Sequence, residues 1–447
     1  LLILLTIFQA IYGWSEYPMD LIDGFFASAT EWVKNTLPPG VFTNLIAEGI
    51  LAGIGGIVIF IPQIAFLFLF IALLEETGYM SRVVFLMDRI MRPFGLSGKS
   101  VVPLISGTAC AIPAVMATRT IENWKERLIT ILVVPFTTCS ARLPVYLIII
   151  ALVIPEGNLL GLSYKALTLM LLYLLGFMAS IFSALILNKI LKIKSKSFFV
   201  VEMPNYKLPL LKNVGYTVLE KTKSFVFGAG KIILAISIIL WFLGSNGFSE
   251  EFKNAETIVT NRVKEQGFSS HSEVYFENNQ ENLDTSLEMD ANSVILQQKE
   301  LEERALNQEI ASYKLEHSYM GYMGKAIEPV VRPLGYDWKI GIAVLTSFAA
   351  REVFVGTLAT IYSVGNDEEE TIKNRMAAEI DPRTKKPLFN LASGISLLLF
   401  YAFAMQCMST LAVVKRETNS WKWPAGQLVF MSLFAYIVAL IAYQLLK

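Results

Sequence analysis

Long, almost uncharged stretches alternate with short charged ones along the 447-residue chain. Crossing roughly 30 Å of hydrocarbon takes about 20 apolar residues in a helix. Windows of that kind at 128–154, 164–188, 224–244, 390–414 and 424–446 each predict a spanning helix. Residues 1–12 read as the tail of an earlier span. The chain opens Leu1-Leu2-Ile3 with no basic n-region, so it reads as a piece whose N-terminal part is missing, not as a signal peptide. Residues 13–40 carry Glu16, Asp20, Asp23 and Glu31 against Lys34, with a Pro38-Pro39-Gly40 break, and predict an acidic loop. Residues 44–76 are glycine-rich and interrupted by Pro62. They are too long for one straight span and tight for two, which predicts a kinked helix or a hairpin. The charge spacing of 77–99 predicts an amphipathic interfacial helix.

The stretch Gly98 to Pro144 departs from the smooth pattern. It is largely apolar, yet it contains Pro103, Pro113, Pro135 and Pro144, the small run Ser106-Gly107-Thr108-Ala109, and two of the three cysteines. Proline removes a backbone donor and unwinds the preceding turn. Non-helical backbone at membrane depth survives only inside protein or beside a watery cavity, and transporters hold their substrates at such discontinuities. Basic residues on both sides of 100–118 predict a re-entrant segment, and 340–363 reads as a second interrupted unit.

These two units belong to a repeat. Tyr79-Met80, Arg92-Pro93-Phe94-Gly95 and Lys99 recur as Tyr319-Met320, Arg332-Pro333-Leu334-Gly335 and Lys339 at a constant offset of 240, and Asp88 meets Glu328. The loop 189–223, with eight lysines against Glu202 and Glu220, belongs in the cytoplasm by the positive-inside rule, not on a nucleic acid. The segment 248–318 holds fifteen acidic and six basic residues and belongs on the outer face, with Glu300 to Glu316 helical. Residues 365–388 form a charged connector. The copies then face opposite ways, as in inverted-topology repeats. The fold predicted is an all-α polytopic membrane protein with interrupted or re-entrant gate-type helices. Its first half is 1–244 (gate-type repeat at about 44–190), followed by an acidic extracytoplasmic insertion at 245–318 and a second half at 319–447.

Composition agrees, with 54% apolar and 17% charged residues against about a quarter charged in soluble domains. Three cysteines exclude a disulfide framework. His271 and His317 both lie in the polar segment, which leaves the apolar spans without an imidazole. Cys110, Cys139 and Cys407 each sit beside a break or a polar cluster. They are soft metal donors or small buried hydrophobes, and proline-freed carbonyls would add oxygen ligands. Glu75 and Glu76 recruit a divalent cation or are solvated carboxylates at an interface, and Met80 offers a thioether or packs. Arg351-Glu352 inside an apolar unit is a functional pair or a lock on the fold, and Arg142 beside Cys139 can pair with Glu352. No GxxxxGK[ST], HExxH or GxSxG motif occurs.

The motifs LEETGYMSR (Leu74 to Arg82), GLSGKSVVP (Gly95 to Pro103), GTACAIP (Gly107 to Pro113), PFTTCSARLPVY (Pro135 to Tyr146), AREVFVGTLATIY (Ala350 to Tyr362) and QCMSTLAVVKRETNSWKWP (Gln406 to Pro424) resemble the membrane domain of the ferrous iron transport protein B (FeoB) family. The resemblance covers all but 248–318 and part of 365–388, and all three cysteines fall in gate-type motifs. It implies Fe²⁺ uptake across the bacterial inner membrane by a multi-pass transporter. An N-terminal cytoplasmic GTPase domain and a FeoA-like accessory partner are also implied, and a homo-oligomer is left open. This sequence contains no GTPase domain, so it is expected to be no enzyme and to bind no cofactor. GTP and Mg²⁺ belong to the missing domain, and Fe²⁺ is cargo. The ligand candidates are Cys110, Cys139 and Cys407, then Glu75, Glu76 and Met80. Two rivals are a nucleoside-type or other small-solute transporter, with Ser106, Thr108 and Ser347 on substrate, and a non-transporting scaffold.

Overall fold

A computed structural model describes residues 14–191 (except 39, 60, 156, 160 and 161), 208–266, 306–361 (except 308, 349, 350 and 352), 376 and 387–447 (except 406). These residues are almost wholly helical. A two-residue antiparallel pairing, Asn158–Leu159 with Leu162–Ser163, is the exception. Besides the short helices Val41–Asn44, Ala52–Val58 and Glu250–Lys253, the α-helices in chain order are α1 (Ser15–Thr36), α2 (Ile61–Glu76), α3 (Tyr79–Met91), α4 (Val101–Ala109), α5 (Ala111–Ala117), α6 (Trp124–Val133), α7 (Leu143–Val153), α8 (Tyr164–Ile190), α9 (Leu211–Phe225), α10 (Lys231–Ser245), α11 (Ala255–Gln266), α12 (Tyr319–Val331), α13 (Trp338–Thr346), α14 (Val353–Ile361), α15 (Leu391–Phe403), α16 (Met408–Thr418) and α17 (Lys422–Leu446).

Five helical runs among the described residues are long and apolar enough to cross a membrane. They are Val41–Glu76, Trp124–Val153, Tyr164–Ile190, Leu391–Thr418 and Lys422–Leu446. Burial sorts four of them into two kinds. The two broken runs, Trp124–Val153 and Leu391–Thr418, are 61% and 71% buried in their most apolar windows, whereas the unbroken α8 and α17 are 22% and 17% buried. A helix that is apolar all round and buried is core. One that is apolar and uncovered in a chain this greasy meets lipid. The breaks of these two runs are thus kept away from lipid, as unsatisfied backbone requires. The fifth run, Val41–Glu76, is only 25% buried, and its irregular part keeps helical hydrogen bonds as a π-helical segment.

The chain divides into two compact units, each built from non-consecutive pieces. The first comprises residues 1–142, 170–238 and 402–434. Its core gathers Leu104, Ile112, Val115, Ile129, Ile131 and Val413, and every residue from Leu128 to Cys139 is buried. Asn123 starts α6 by accepting the Lys125 N–H at 3.0 Å, which takes up one of the donors every helix start leaves open. The second unit comprises residues 143–169, 239–401 and 435–447. Ser318 caps α12 through the Gly321 N–H (3.2 Å) and Asp337 caps α13 through the Ile340 N–H (2.8 Å).

The repeat read from the sequence is present in the backbone. Helix α3 (79–91) and helix α12 (319–331) have the same bounds after a shift of 240, as do the 3₁₀ turns Arg92–Phe94 and Arg332–Leu334. The turns end at Gly95 (φ 77°) and Gly335 (φ 82°), in the left-handed region where a side chain is penalised. Both copies then make a very close crossing with the small residue on opposite partners. A Cβ on Gly98 would lie 2.1 Å from the Val84 carbonyl oxygen. In the second copy Gly324 replaces Val84 and Trp338 replaces Gly98, and a Cβ on Gly324 would lie 3.1 Å from the Trp338 oxygen.

Several expectations need correction. Residues 15–36 form a helix, not an acidic loop. Its residues sort onto three faces. Ser15 and Val33 are buried, Asp20, Asp23 and Glu31 are at least partly exposed on a second face, and Trp14, Tyr17, Leu21, Phe25 and Trp32 form an exposed apolar stripe. Of the two alternatives for 44–76, the interrupted helix holds and the hairpin does not: residues 41–76 form one helical run with a π-helical segment at Leu45–Leu51. The end of the lysine-rich loop is helical in α9, and 224–244 is divided by a π-helical turn at Val226–Gly230. The expectation for 1–12 falls outside the described residues. So do those for most of 365–388 and for 300–305, while 306–316 is helical wherever it is described.

Within the acidic segment, α11 is tied to 306–316 by two ion pairs. Arg262 meets the buried Glu309 and Lys314 meets Glu256 at 2.6 Å. The Lys314 hydrogen bond, then its charge, holds the Glu256 carboxyl below its ordinary value. A carboxyl depressed in the folded state stabilises above its unfolded pKa, and that contribution disappears as pH falls through the folded value. Spin labels at Lys264 and Ala311 should therefore show a narrow separation at pH 7 that broadens below about pH 4. Glu256→Gln should already be broadened at pH 7, and a separation indifferent to both changes would mean that the Arg262–Glu309 pair holds the contact without Glu256.

Candidate functional site at the broken helices

Each cysteine sits where the chain leaves one helical piece and enters the next. Cys110 (φ −155°, ψ 133°) separates α4 from α5, and Cys407 (φ −158°, ψ 99°) precedes α16. Cys139 lies between the 3₁₀ turns Val134–Phe136 and Ser140–Arg142. None is in a disulfide. Each backbone carbonyl accepts a bond from the turn it opens: Ala114 N to Cys110 at 3.4 Å, Arg142 N to Cys139 at 3.1 Å, and Thr410 N to Cys407 at 3.1 Å.

The breaks are stitched by side chains. Pro113 has no N–H for the Ala109 carbonyl four residues earlier, as helix geometry would require. The Ser140 hydroxyl supplies it instead at 2.7 Å, and the Gln63 amide of α2 donates to Ser140 at 3.0 Å. Near Pro135, the Gln427 amide of α17 donates to the Leu132 carbonyl at 2.9 Å. The fully buried Arg142 donates to the carbonyls of Pro135 (3.2 Å) and Thr137 (3.3 Å). Of the proline-freed carbonyls expected as oxygen ligands, that of Ala109 is thus held by a protein donor. The Glu352 suggested as a partner for Arg142 is outside the described residues.

The Ser140 bond lays the Cys139 segment against the Cys110 break. Cys407 is brought to the same level by helix packing. Helices α5 and α16 pack together, with Ala114 and Val115 sharing a cluster with Val413 and Val414. Just past α5, Arg119 forks onto Glu417 in the last turn of α16, through Nε at 2.9 Å and Nη2 at 2.6 Å. Two helices packed side by side with their C-terminal ends joined run parallel, so the residues that open them, Cys110 and Cys407, lie at one end. At the other end Glu417 also takes Arg127 at 2.9 Å and has Arg416 at 3.5 Å. The Glu417 bond raises the Arg119 guanidinium above its ordinary pKa. The level is shared, but no group of three His, Cys, Asp or Glu placed to hold a metal ion occurs among the described residues.

The weaker candidates lie elsewhere on this unit. Glu75 and Glu76 end α2; Glu75 is exposed, and Glu76 accepts from Asn213 of α9 at 3.2 Å. Met80 is half-buried in the first turn of α3. The hydroxyls of Thr108 and Ser347, considered for an organic substrate, donate to their own helices at Ile105 (2.6 Å) and Val344 (2.6 Å). Ser106 is buried, and so is Arg351. Gln63, Ser140, Gln427 and Glu417 do not stand out in the sequence as site residues. Gln63 alone leaves a signal there, being the one polar side chain between Glu48 and Glu75.

Broken, buried helices stitched by polar side chains, set among smooth spans, define a polytopic membrane protein of gate type. The Gate family, described as nucleoside recognition, matches residues 57–153 and 226–421, and the ferrous iron transport protein B C-terminal family matches 169–221. The chain is 43% identical over 99% of its length to the Fe(2+) transporter FeoB of Leptospira interrogans serovar Lai, covering 56% of that protein. It is 34% identical over its whole length to the Fe(2+) transporter FeoB of Campylobacter jejuni, covering 62%. It is also 33% identical to a Fe(2+) transport protein A/Fe(2+) transporter FeoB fusion protein of Porphyromonas gingivalis, covering 49%. The chain belongs to the FeoB family and spans about half the length of these relatives. No solved structure matches it.

Proposed function

We propose that this chain forms the path by which Fe²⁺ crosses the bacterial cytoplasmic membrane, with thiols of the helix breaks as its soft ligands. The observation that carries the proposal is the placement of all three cysteines at breaks in one unit, with Cys110 and Cys407 at the same end of the packed helices α5 and α16 and Cys139 and Cys407 inside the two most buried spanning runs. Thiolate donors suit a transition metal better than Mg²⁺ or Ca²⁺. Cys110, Cys139 and Cys407 act in turn as the breaks move, in place of a fixed three-ligand cage, and Glu75, Glu76 and Met80 serve as secondary contacts. On this reading the two repeat copies are inverted about the membrane midplane and 245–318 is extracytoplasmic. A GTPase domain of the longer family protein handles GTP and Mg²⁺, and this chain itself is no enzyme. The fused relative supports a FeoA-like partner. A nucleoside-type substrate is less well supported, because Thr108 and Ser347 spend their donors on their own helices.

Fe²⁺ uptake into anaerobic proteoliposomes tests this, with Cys110→Ser, Cys139→Ser and Cys407→Ser compared at equal incorporation. At least one variant should lose about tenfold or more, since even outer-shell partners of a metal site matter on that scale. Wild-type uptake untouched by all three substitutions would reduce the cysteines to packing. Uptake of a nucleoside in place of iron would favour the rival.

A further inference from the structure

The Gln63–Ser140–Ala109 chain joins three separate pieces of the first unit at the level of two cysteines. Gln63 comes from α2, Ser140 follows Cys139, and Ala109 precedes Cys110. Ser140 is in a double role: its one proton goes to the Ala109 carbonyl, and its oxygen accepts from the Gln63 amide. A hydroxyl can do both at once. The Ala109 carbonyl has no helical alternative, because the residue four positions on is Pro113. Without Ser140 it would be a buried acceptor with nothing to accept, and such groups are costly. Gln63 itself sits in an apolar run, where an amide side chain is expensive unless bonded.

We propose that Ser140 and Gln63 are positioning residues of the gate. They form a latch that fixes the directions of the Cys110 and Cys139 thiols by locking the backbone beside each. This rests on the iron-path reading for its purpose, but the latch itself stands on hydrogen-bond geometry. Cys110 follows the latched carbonyl directly, so rotation of the Ala109–Cys110 peptide swings its side chain. Cys139 precedes the latching hydroxyl and is pinned in the same way from the other side. Cys407 is outside the chain of bonds and is held by α5–α16 packing, which makes it an internal control.

The test measures thiol accessibility and uptake separately. In membrane vesicles, single-cysteine versions of the full chain are labelled with a small water-soluble maleimide. Ser140→Ala should change the labelling rate of Cys110 and of Cys139 about tenfold, the factor one lost hydrogen bond of ordinary net strength gives. The Cys407 rate should stay where it was. Ser140→Thr, which keeps the hydroxyl, should restore wild-type labelling, and Gln63→Leu should give a smaller change in the same direction. In the three-cysteine protein, Ser140→Ala should raise the Fe²⁺ concentration for half-maximal uptake. Labelling of Cys110 and Cys139 within twofold of wild type in both Ser140→Ala and Gln63→Leu would overturn the latch. An equal change at all three cysteines would also overturn it, because that is general loosening. Should Ser140→Ala fail to accumulate, labelling of the Gln63→Leu protein decides between these outcomes by itself. Altered labelling in a chain that moves no iron would leave the latch standing and remove the iron path.

Discussion

Glu417→Ala should lower the stability of the folded chain by about 3 kcal/mol, at the low end for breaking a buried ion pair because Arg119 keeps one side in solvent. The carboxylate is 3% exposed and takes Arg119 and Arg127, whose side chains are 48% and 23% exposed. Its removal leaves like charges facing one another where the ends of α5 and α16 and the start of α6 converge. Unfolding followed by tryptophan fluorescence in a mild detergent would measure the loss. Arg119→Ala should cost less than Glu417→Ala, because Arg127 still neutralises the carboxylate. Equal losses would mean that Arg127 adds nothing once Arg119 is gone, and no loss from Glu417→Ala would mean that apolar packing alone holds α16 parallel to α5. Cys407 would then be kept level with Cys110 by packing without the ion pair.

The second large effect falls on the close crossing of the first repeat. Gly98→Ala should prevent folding or cost more than the roughly 1–3 kcal/mol of ordinary overpacking. The added Cβ would meet the Val84 oxygen at 2.1 Å and Asp88 Cβ at 2.9 Å, and the first of these is backbone that cannot rotate away. The Gly98 N–H also donates to Asp88 at 3.0 Å, so a shift sufficient to relieve the clash would break that bond. Gly324→Ala should be milder, since its nearest obstacle at 2.2 Å is the Ile342 Cγ1 atom, on a side chain with other rotamers. Expression of folded protein, judged by size-exclusion profile, should rank wild type, then Gly324→Ala, then Gly98→Ala. The reverse order would mean that backbone contact does not set the tolerance of the crossing.

Much of this architecture is legible in the sequence because a few residues have few options. Proline in an apolar run announces a break, and Arg-Pro-x-Gly at a constant offset announces a repeated turn that needs its glycine. Helix α1 is easily misread because Glu16, Asp20, Asp23 and Glu31 count as a loop's charges. At helical spacing three of them share one face, and the aromatic residues between them line another. The stitching is largely illegible. Ser140 and Gln427 look like ordinary small polar residues, and their partners Ala109 and Leu132 contribute only backbone oxygen, which leaves no trace in side-chain pattern. That Arg119, Arg127 and Glu417 meet depends on a separation of nearly three hundred residues, which local reading cannot bridge.

The opposite placement of glycine in the two crossings restricts how such a duplicated architecture can exchange parts. A crossover between the copies inside either crossing would bring Val84 against Trp338 in one product, too bulky to approach, and Gly324 against Gly98 in the other, leaving a gap. Only a transfer that carries both partners together keeps one large and one small residue. The two halves of the gene are therefore closed to recombination within these segments. Since the duplication the copies have become non-interchangeable at the place where their backbones remain most alike.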